Sequence, residues 1–182
     1  MAIKTFTTGE VLTASDTNTY LANSGLVYIT SGTSSGTDIR LTPIFNSNYD
    51  NYRIILSNFT TGAVRTIAAQ LTTGTTVNGS SYNYGGWYVT YAAGLNGAVN
   101  AAAQAYWSIL TSSTNDSACV WDIQRPFIAD TTTFQLQANN FDASYYSNGN
   151  NTIVQSYDGI RITNLTSDTC NFSYAVYGYR KA

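Results

Sequence analysis

The sequence predicts an all-β fold, an antiparallel β-sandwich, for most of its 182 residues. Three observations predict it. Beyond Leu26 the apolar residues recur with a period of two, which is typical of strands that bury one face. The alternating segments are short, and clusters of Gly, Ser, Asn and Thr separate them. Thr and Tyr are abundant, and together with Val and Ile they suit a pleated, half-buried surface.

The N-terminal 25 residues differ from the rest. Thr13–Asp16 has the pattern of a capping box, and Asn23–Gly25 is a stop signal, so we predict a short helix near 14–22 behind an extended arm. A helix of about nine residues is too short to be stable alone in water and must dock on something. We therefore divide the chain into an N-terminal anchoring arm, 1–25, and a β-sandwich domain, 26–182.

The domain is predicted to contain eight to ten strands. The segments that alternate or that are rich in β-branched and aromatic residues are 26–30, 38–42, 51–57, 64–72, 82–91, 105–111, 118–124, 131–138, 152–163 and 171–179. Ser31–Gly36 is predicted to be a turn. The Ala-rich segment 95–103 is interrupted by Gly97 and Asn100, so we predict a loop with at most one helical turn there.

Composition excludes several functions. Charged residues make up 10% of the chain, the formal net charge is −2, and the eight Lys and Arg residues are scattered. Nucleic acids and anionic membranes are recognised by clustered cations, so we expect neither as a partner. No segment approaches the roughly 20 apolar residues of a membrane helix. The first residues lack the apolar h-region of a signal peptide, so we do not expect secretion. We expect synthesis in a cytoplasm.

The sequence predicts no catalytic residue, no metal site and no cofactor. Histidine is absent, which removes Ser–His and Cys–His nucleophile pairs and histidine metal sites. The Asp residues lie near predicted turns, where they usually bond their own backbone. Cys119 and Cys170 are either two small buried side chains or, in an oxidising compartment, a disulfide.

Aromatic residues are the enriched class, at 14% of the chain. Their usual role is core packing, but Tyr and Trp also supply large, rigid contact area on binding surfaces. A sugar- or protein-binding surface is therefore the alternative. The members that we expect on loops are the candidate binding residues: Tyr82, Tyr84, Trp87, Tyr145 and Tyr146.

Three parts of the sequence resemble a known family. The segment Lys4–Leu21 (KTFTTGEVLTASDTNTYL) resembles the N-terminal segment of the tail-fibre and other virion appendage proteins of tailed bacteriophages. Phe45–Ile54 resembles a motif of their β-domains. Gly159–Ile162, together with Tyr174–Gly178, resembles the closing strands of the same domains. The three parts are spread over most of the chain.

The resemblance implies a β-jelly-roll, assembled as a homotrimer and carried on a virion. It implies that the arm fixes the protein to other virion proteins, and the residues expected to anchor it are Phe6, Val11, Leu12, Tyr20 and Leu21. No shaft sequence of a long fibre is present. The expected function is a short tail fibre in host attachment, through a host surface glycan or protein. The alternatives are a capsid cement or head-fibre protein, a glycan depolymerase, and a free lectin-like module.

Overall fold

A computed structural model describes most of the domain and a small part of the arm. The described residues are 7–11, 13, 25–92, 94, 96–112 and 114–180. Within them the chain forms thirteen strands and no helix, so no helix there is long and apolar enough to cross a membrane. Val11 is 79% exposed. Outside the described residues lie the predicted helix and the other four predicted anchoring residues, Phe6, Leu12, Tyr20 and Leu21.

The strands are numbered in chain order. They are β1 Leu26–Gly36, β2 Asp38–Leu41, β3 Tyr49–Thr61, β4 Arg65–Thr73, β5 Thr76–Val77, β6 Tyr82–Thr90, β7 Asn96–Gln104, β8 Trp107–Ser112, β9 Ser117–Gln124, β10 Asp130–Asn139, β11 Ala143–Gln155, β12 Gly159–Asn164 and β13 Cys170–Arg180. Sheet A has the spatial order β1-β13-β3-β9-β10-β11-β6-β7, and sheet B has the order β2-β12-β4-β5, with β8 also paired to β4. All described pairings are antiparallel.

The two sheets bury one continuous core between them. Strand β3 shows the predicted alternation, because Tyr52, Ile54 and Leu56 are fully buried and the residues between them are not. The core continues on sheet B through residues such as Ile67, Leu71, Ile160 and Ile162. The prediction of an all-β, antiparallel sandwich is confirmed in this form. The face of sheet A that points away from sheet B is called its outer face below.

The loop predicted at 95–103 is wrong, because Asn96–Gln104 is strand β7 at one edge of sheet A. Pairing with β6 overrides the helix propensity of its alanines. Gly97, which argued against a regular element, fits the strand: it lies opposite Tyr88, whose ring occupies the space that a Cβ would need. An aromatic ring that packs over a glycine on the neighbouring strand is a known way to stabilise that glycine in a sheet.

Two other strand boundaries differ from prediction. Ser31–Gly36 is not a turn but the second half of β1, which pairs with β13 as far as Gly36. The predicted strand 152–163 is the end of β11 followed by β12, and the chain passes from sheet A to sheet B between them. Side-chain polarity does not distinguish a turn from a strand in these segments, because Ser and Thr occur both in turns and at strand edges.

The two cysteines are buried and free. Cys119 lies in the core row of β9, and Cys170 opens β13. Burial raises the pKa of the Cys119 thiol to about 12, which keeps it protonated and unreactive at neutral pH. The interpretation of both residues as small buried side chains is confirmed, and the disulfide is excluded.

Candidate functional site

The five predicted binding residues lie on neighbouring strands, and the expectation that loops carry them is wrong. Tyr82, Tyr84 and Trp87 are on β6, and Tyr145 and Tyr146 are on β11, which pairs with β6. Since successive side chains of a strand point to opposite faces, the five residues divide between the core and the outer face of sheet A.

Three of the five belong to the core side. Tyr82 is fully buried; its hydroxyl accepts a hydrogen bond from Leu71 N (2.7 Å) and donates one to Asn78 O (2.9 Å). Its predicted place on a binding surface is therefore wrong, since it links the two sheets. Tyr84 and Tyr145 are half-buried and pack against the core.

Trp87 and Tyr146 are on the outer face of sheet A. The two residues are directly opposite each other across β6 and β11, and their rings stack with centroids 4.5 Å apart and planes 21° apart. They remain 48% and 38% exposed. Stacking covers one face of each ring, and the remaining parts of both rings are exposed to solvent. The backbone pairing of β11 and β6, two interior strands near one edge of sheet A, holds the pair in place.

A row of polar side chains runs beside this pair on the same face. The register places Arg53 opposite Asp122, Asp122 opposite Gln135, and Gln135 opposite Asn148, on four adjacent strands. In the next row, Gln137 donates a hydrogen bond to the hydroxyl of Tyr146 (3.1 Å). The amides therefore lie within one or two residues of the aromatic surface.

Arg53 and Asp122 form the one ion pair of this face among the described residues. Arg53 donates from Nε and Nη2 to the two carboxylate oxygens at 2.8 and 2.6 Å, and the hydroxyl of Tyr179 donates to Oδ1 at 2.8 Å. The Arg53 guanidinium also lies 5.7 Å from the centre of the Tyr179 ring. Burial opposes ionisation of Asp122, but the hydrogen bonds from Arg53 and Tyr179 outweigh it, so the pKa of the carboxyl is lowered.

Two adjoining indentations on the outer face form what we call the sheet A groove. The first has a volume of about 330 Å³ and contains the ion pair, the aromatic pair, Gln135 and Asn148. The second has a volume of about 390 Å³, and Ile55, Ala118, Asn139 and Ser144 are among its lining residues. Val120 and Gln137 line both. Each volume is within the range of small-molecule binding sites.

The groove is equipped for binding. Among the residues that line it, all of them described, Asp122 is the sole carboxylate, whereas most glycoside hydrolases need two facing each other. Within the described ranges no group of three or more Cys, Asp or Glu residues is placed to hold a metal ion. What the groove offers is the exposed part of a stacked aromatic pair, several apolar side chains and several amides.

Comparison with known proteins adds no assignment. No protein-family model matches the chain, and no curated protein matches it.

Sequence reasoning missed the polar members of the groove, Arg53, Asp122, Gln135, Gln137 and Asn148. They come from β3 and from the three consecutive strands β9, β10 and β11, and they meet only when the register of these strands is known, so no local motif joins them. The alternation of buried and exposed positions along each strand could have indicated these residues. In β9 and β10 the residues between the buried positions are the outward ones, and these are Val120, Asp122, Gln135 and Gln137.

The ion pair makes stability depend on pH. The pKa of Asp122 is lower in the folded protein than its value of about 3.9 in the unfolded chain. The ion pair therefore stabilises the fold fully above the unfolded pKa, and this stabilisation is lost as the pH falls through the folded pKa. Asp122→Asn leaves Arg53 without its charged partner and is expected to cost about 1–3 kcal/mol at pH 7. The loss should shrink below about pH 4, as measured by urea unfolding between pH 3 and 7.

The matched control is Asp142→Asn, in the exposed turn between β10 and β11. It should change stability by less than about 0.5 kcal/mol at pH 7. A difference between wild type and Asp122→Asn that is the same at pH 3 and pH 7 would contradict the linkage.

Proposed function

We propose that the protein is a structural component of a bacteriophage virion, a short tail-fibre-type appendage without enzymatic activity. Residues 1–25 dock it on other virion proteins, and the β-domain contacts a glycan or protein of the host surface. The protein is made in the host cytoplasm and functions on the particle. The observation that supports the contact role is the sheet A groove, with its partly exposed aromatic pair on paired strands.

The surface chemistry and the arm support the proposal. The resemblance of Lys4–Leu21 to the N-terminal segment of virion appendage proteins supplies the reason for placing the chain on a particle. A domain with 10% charged residues and a net charge of −2 exposes mainly neutral polar groups, which limits nonspecific ionic adsorption. The groove lies on paired strands, so it needs no loop to be ordered before contact.

We further propose that the sandwich is a jelly-roll variant and assembles as a homotrimer. The chain passes repeatedly between sheets A and B, as Greek-key connections require. The two edge strands of sheet A, β1 and β7, contain no charged residue and no proline, the usual guards against edge pairing. Analytical ultracentrifugation at micromolar concentration tests the trimer, and a stable monomer would contradict it.

Two alternatives remain as proposals in the same setting. A capsid cement protein would use the arm across capsid subunits and occur in hundreds of copies, whereas a tail component occurs in a few tens. A glycan depolymerase is less favoured, because the groove contains a single carboxylate where hydrolysis usually needs a pair.

Deleting residues 1–25 tests docking. The truncated chain should keep its β-sheet circular dichroism spectrum and its cooperative unfolding, since all described strands lie beyond residue 25. It should no longer be found in purified particles by mass spectrometry when it replaces the full chain. Normal incorporation of the truncated chain would contradict the docking role.

Particles that lack the protein separate the alternatives. A tail appendage predicts that such particles are intact but adsorb to host cells at least about tenfold more slowly. A cement protein predicts normal adsorption and release of DNA at a lower temperature. Cryo-electron microscopy of the same particles locates the missing density.

A further inference from the structure

The exposed ring of Trp87 has the properties of a sugar-stacking surface. It is held by stacking on Tyr146, so it loses little conformational freedom when a ligand binds. It lines the first indentation together with Gly86, which has no side chain, and Asn148. A pyranose ring has one face of C–H groups, which packs on an aromatic plane, while its hydroxyls point outward to polar partners.

The polar groups around the ring are suited to hydroxyls. Gln135, Gln137 and Asn148 each carry an amide that donates and accepts hydrogen bonds, as a sugar hydroxyl does. All three side chains lie on the outer face: Asn148 is on β11 with Tyr146, and Gln135 and Gln137 are on the adjacent strand β10. An apolar ligand would remove water from these amides without replacing its hydrogen bonds, and this desolvation would weaken binding.

The charges of the groove cancel. Arg53 and Asp122 are the two charged residues that line it. They form a bidentate ion pair, in which Nε and Nη2 of Arg53 donate to the two carboxylate oxygens of Asp122. An anionic sugar needs a cation whose donors are available, and the Arg53 guanidinium is already directed at Asp122. The pair therefore favours neutral ligands over uronic or sialic acids.

The groove extends beyond the aromatic pair. Its second indentation continues from the first across Val120 and Gln137 and follows the strands towards Asn139 and Ser144. Its floor includes Ile55 and Ala118, and its rim includes side-chain hydroxyls and amides. An extended chain of sugars matches this arrangement of apolar floor and polar rim.

We infer that the sheet A groove binds a neutral oligosaccharide, with one pyranose ring packed on the Trp87–Tyr146 pair and further units in the second indentation. The inference rests on the proposed function, since it names the class of host molecule used for attachment.

The chain contains its own probe of binding. It has three tryptophans, of which Trp107 and Trp121 are fully buried and Trp87 is exposed. Acrylamide should therefore quench mainly Trp87. We expect at least one member of an immobilised panel of neutral hexose and N-acetylhexosamine oligosaccharides to bind the full chain, and the same sugar in solution to protect Trp87 from quenching. Oligogalacturonate and oligosialic acid should bind at least about tenfold more weakly.

Variants locate the site. Trp87→Ala should weaken binding about thirtyfold, the loss of one aromatic hot spot, whereas Trp87→Phe retains a ring and should lose much less. Gln135→Ala should weaken binding about three- to tenfold through a lost hydrogen bond. Phe141→Ala is the matched control, because Phe141 is 69% exposed but lies in the turn before β11, outside the groove; its binding should equal wild type.

The inference is overturned if no neutral member binds, if the anionic sugars bind best, or if Trp87→Ala binds like wild type. It is also overturned if Trp87 is protected without sugar and Trp87→Ala changes the sedimentation coefficient, since the face is then an interface between copies. Adsorption of particles keeps the two proposals distinct. If the protein binds no sugar but particles carrying Trp87→Ala adsorb slowly, the attachment role is supported and the ligand is not an oligosaccharide. If the protein binds a neutral sugar but is not found in particles, the inference about the groove is supported and the proposed virion function is contradicted.

Discussion

Replacing Trp107 with alanine should lower the free energy of unfolding by about 3–5 kcal/mol, the usual cost of removing a large buried aromatic side chain. Trp107 is on β8 of sheet B and is fully buried. Its ring lies 4.6 Å from that of Phe134 and 5.9 Å from that of Trp121, both in sheet A, and 5.0 Å from that of Tyr82. The residue therefore joins the two sheets at the centre of the core.

A hydrogen bond adds to the loss. The indole Nε1 of Trp107 donates to Asn150 O at 3.0 Å, and alanine leaves this carbonyl without its donor. Since a domain is stable by only about 5–15 kcal/mol, the substitution should remove a large share of the total. Urea unfolding followed by circular dichroism measures it.

The matched control is Trp87→Ala, the same chemical change at an exposed position. It should cost less than about 1 kcal/mol, because most of the removed surface is already in contact with water or with one neighbouring ring. Equal losses for the two variants would show that Trp107 does not have the role in the core described here.

Gly86→Ala should also be strongly destabilising, by about 3 kcal/mol, at the upper end of the usual cost of overpacking. A Cβ on Gly86 would lie 2.8 Å from the Cα of Ser147 and closer still to the carbonyl oxygen of Tyr146. Both atoms belong to the backbone of β11, so no change of rotamer relieves the contact, and β6 must move away from β11. Thermal or urea unfolding measures the loss.

The adjacent glycine is the control. A Cβ on Gly85 would have Val99 O at 3.9 Å as its nearest neighbour, which is ordinary contact. Gly85→Ala should be neutral or stabilise by up to about 1 kcal/mol, because alanine restricts the unfolded chain. If both variants were equally stable, the close approach of β6 and β11 at Gly86 would be refuted.

The fold class was predictable because periodicity is a local property of the chain. The Tyr52, Ile54 and Leu56 row and the clean alternation of β10 are visible in the sequence and buried in the structure. Strand β7 was not predictable in this way. Its alanines have no strand preference, and the element exists because β6 offers an edge to which they pair.

The candidate site was predictable only in part, and strand geometry explains the limit. The sequence indicated an aromatic cluster, but Tyr145 and Tyr146 are neighbours in the chain that point to opposite faces of sheet A. Which face is buried depends on where sheet B packs. The partners of Trp87 depend on the order of strands in sheet A, which no local pattern encodes.

The pairing of β1 with β13 has a consequence for biosynthesis. Leu26 in the first strand is opposite Tyr179 in the last described strand, and β13 lies between β1 and β3. A nascent chain therefore cannot complete this part of the sheet until Cys170–Arg180 has left the ribosome, and such long-range closure folds slowly. A premature stop codon before Cys170 would leave the first strand without a neighbour and would open the side of β3 to aggregation.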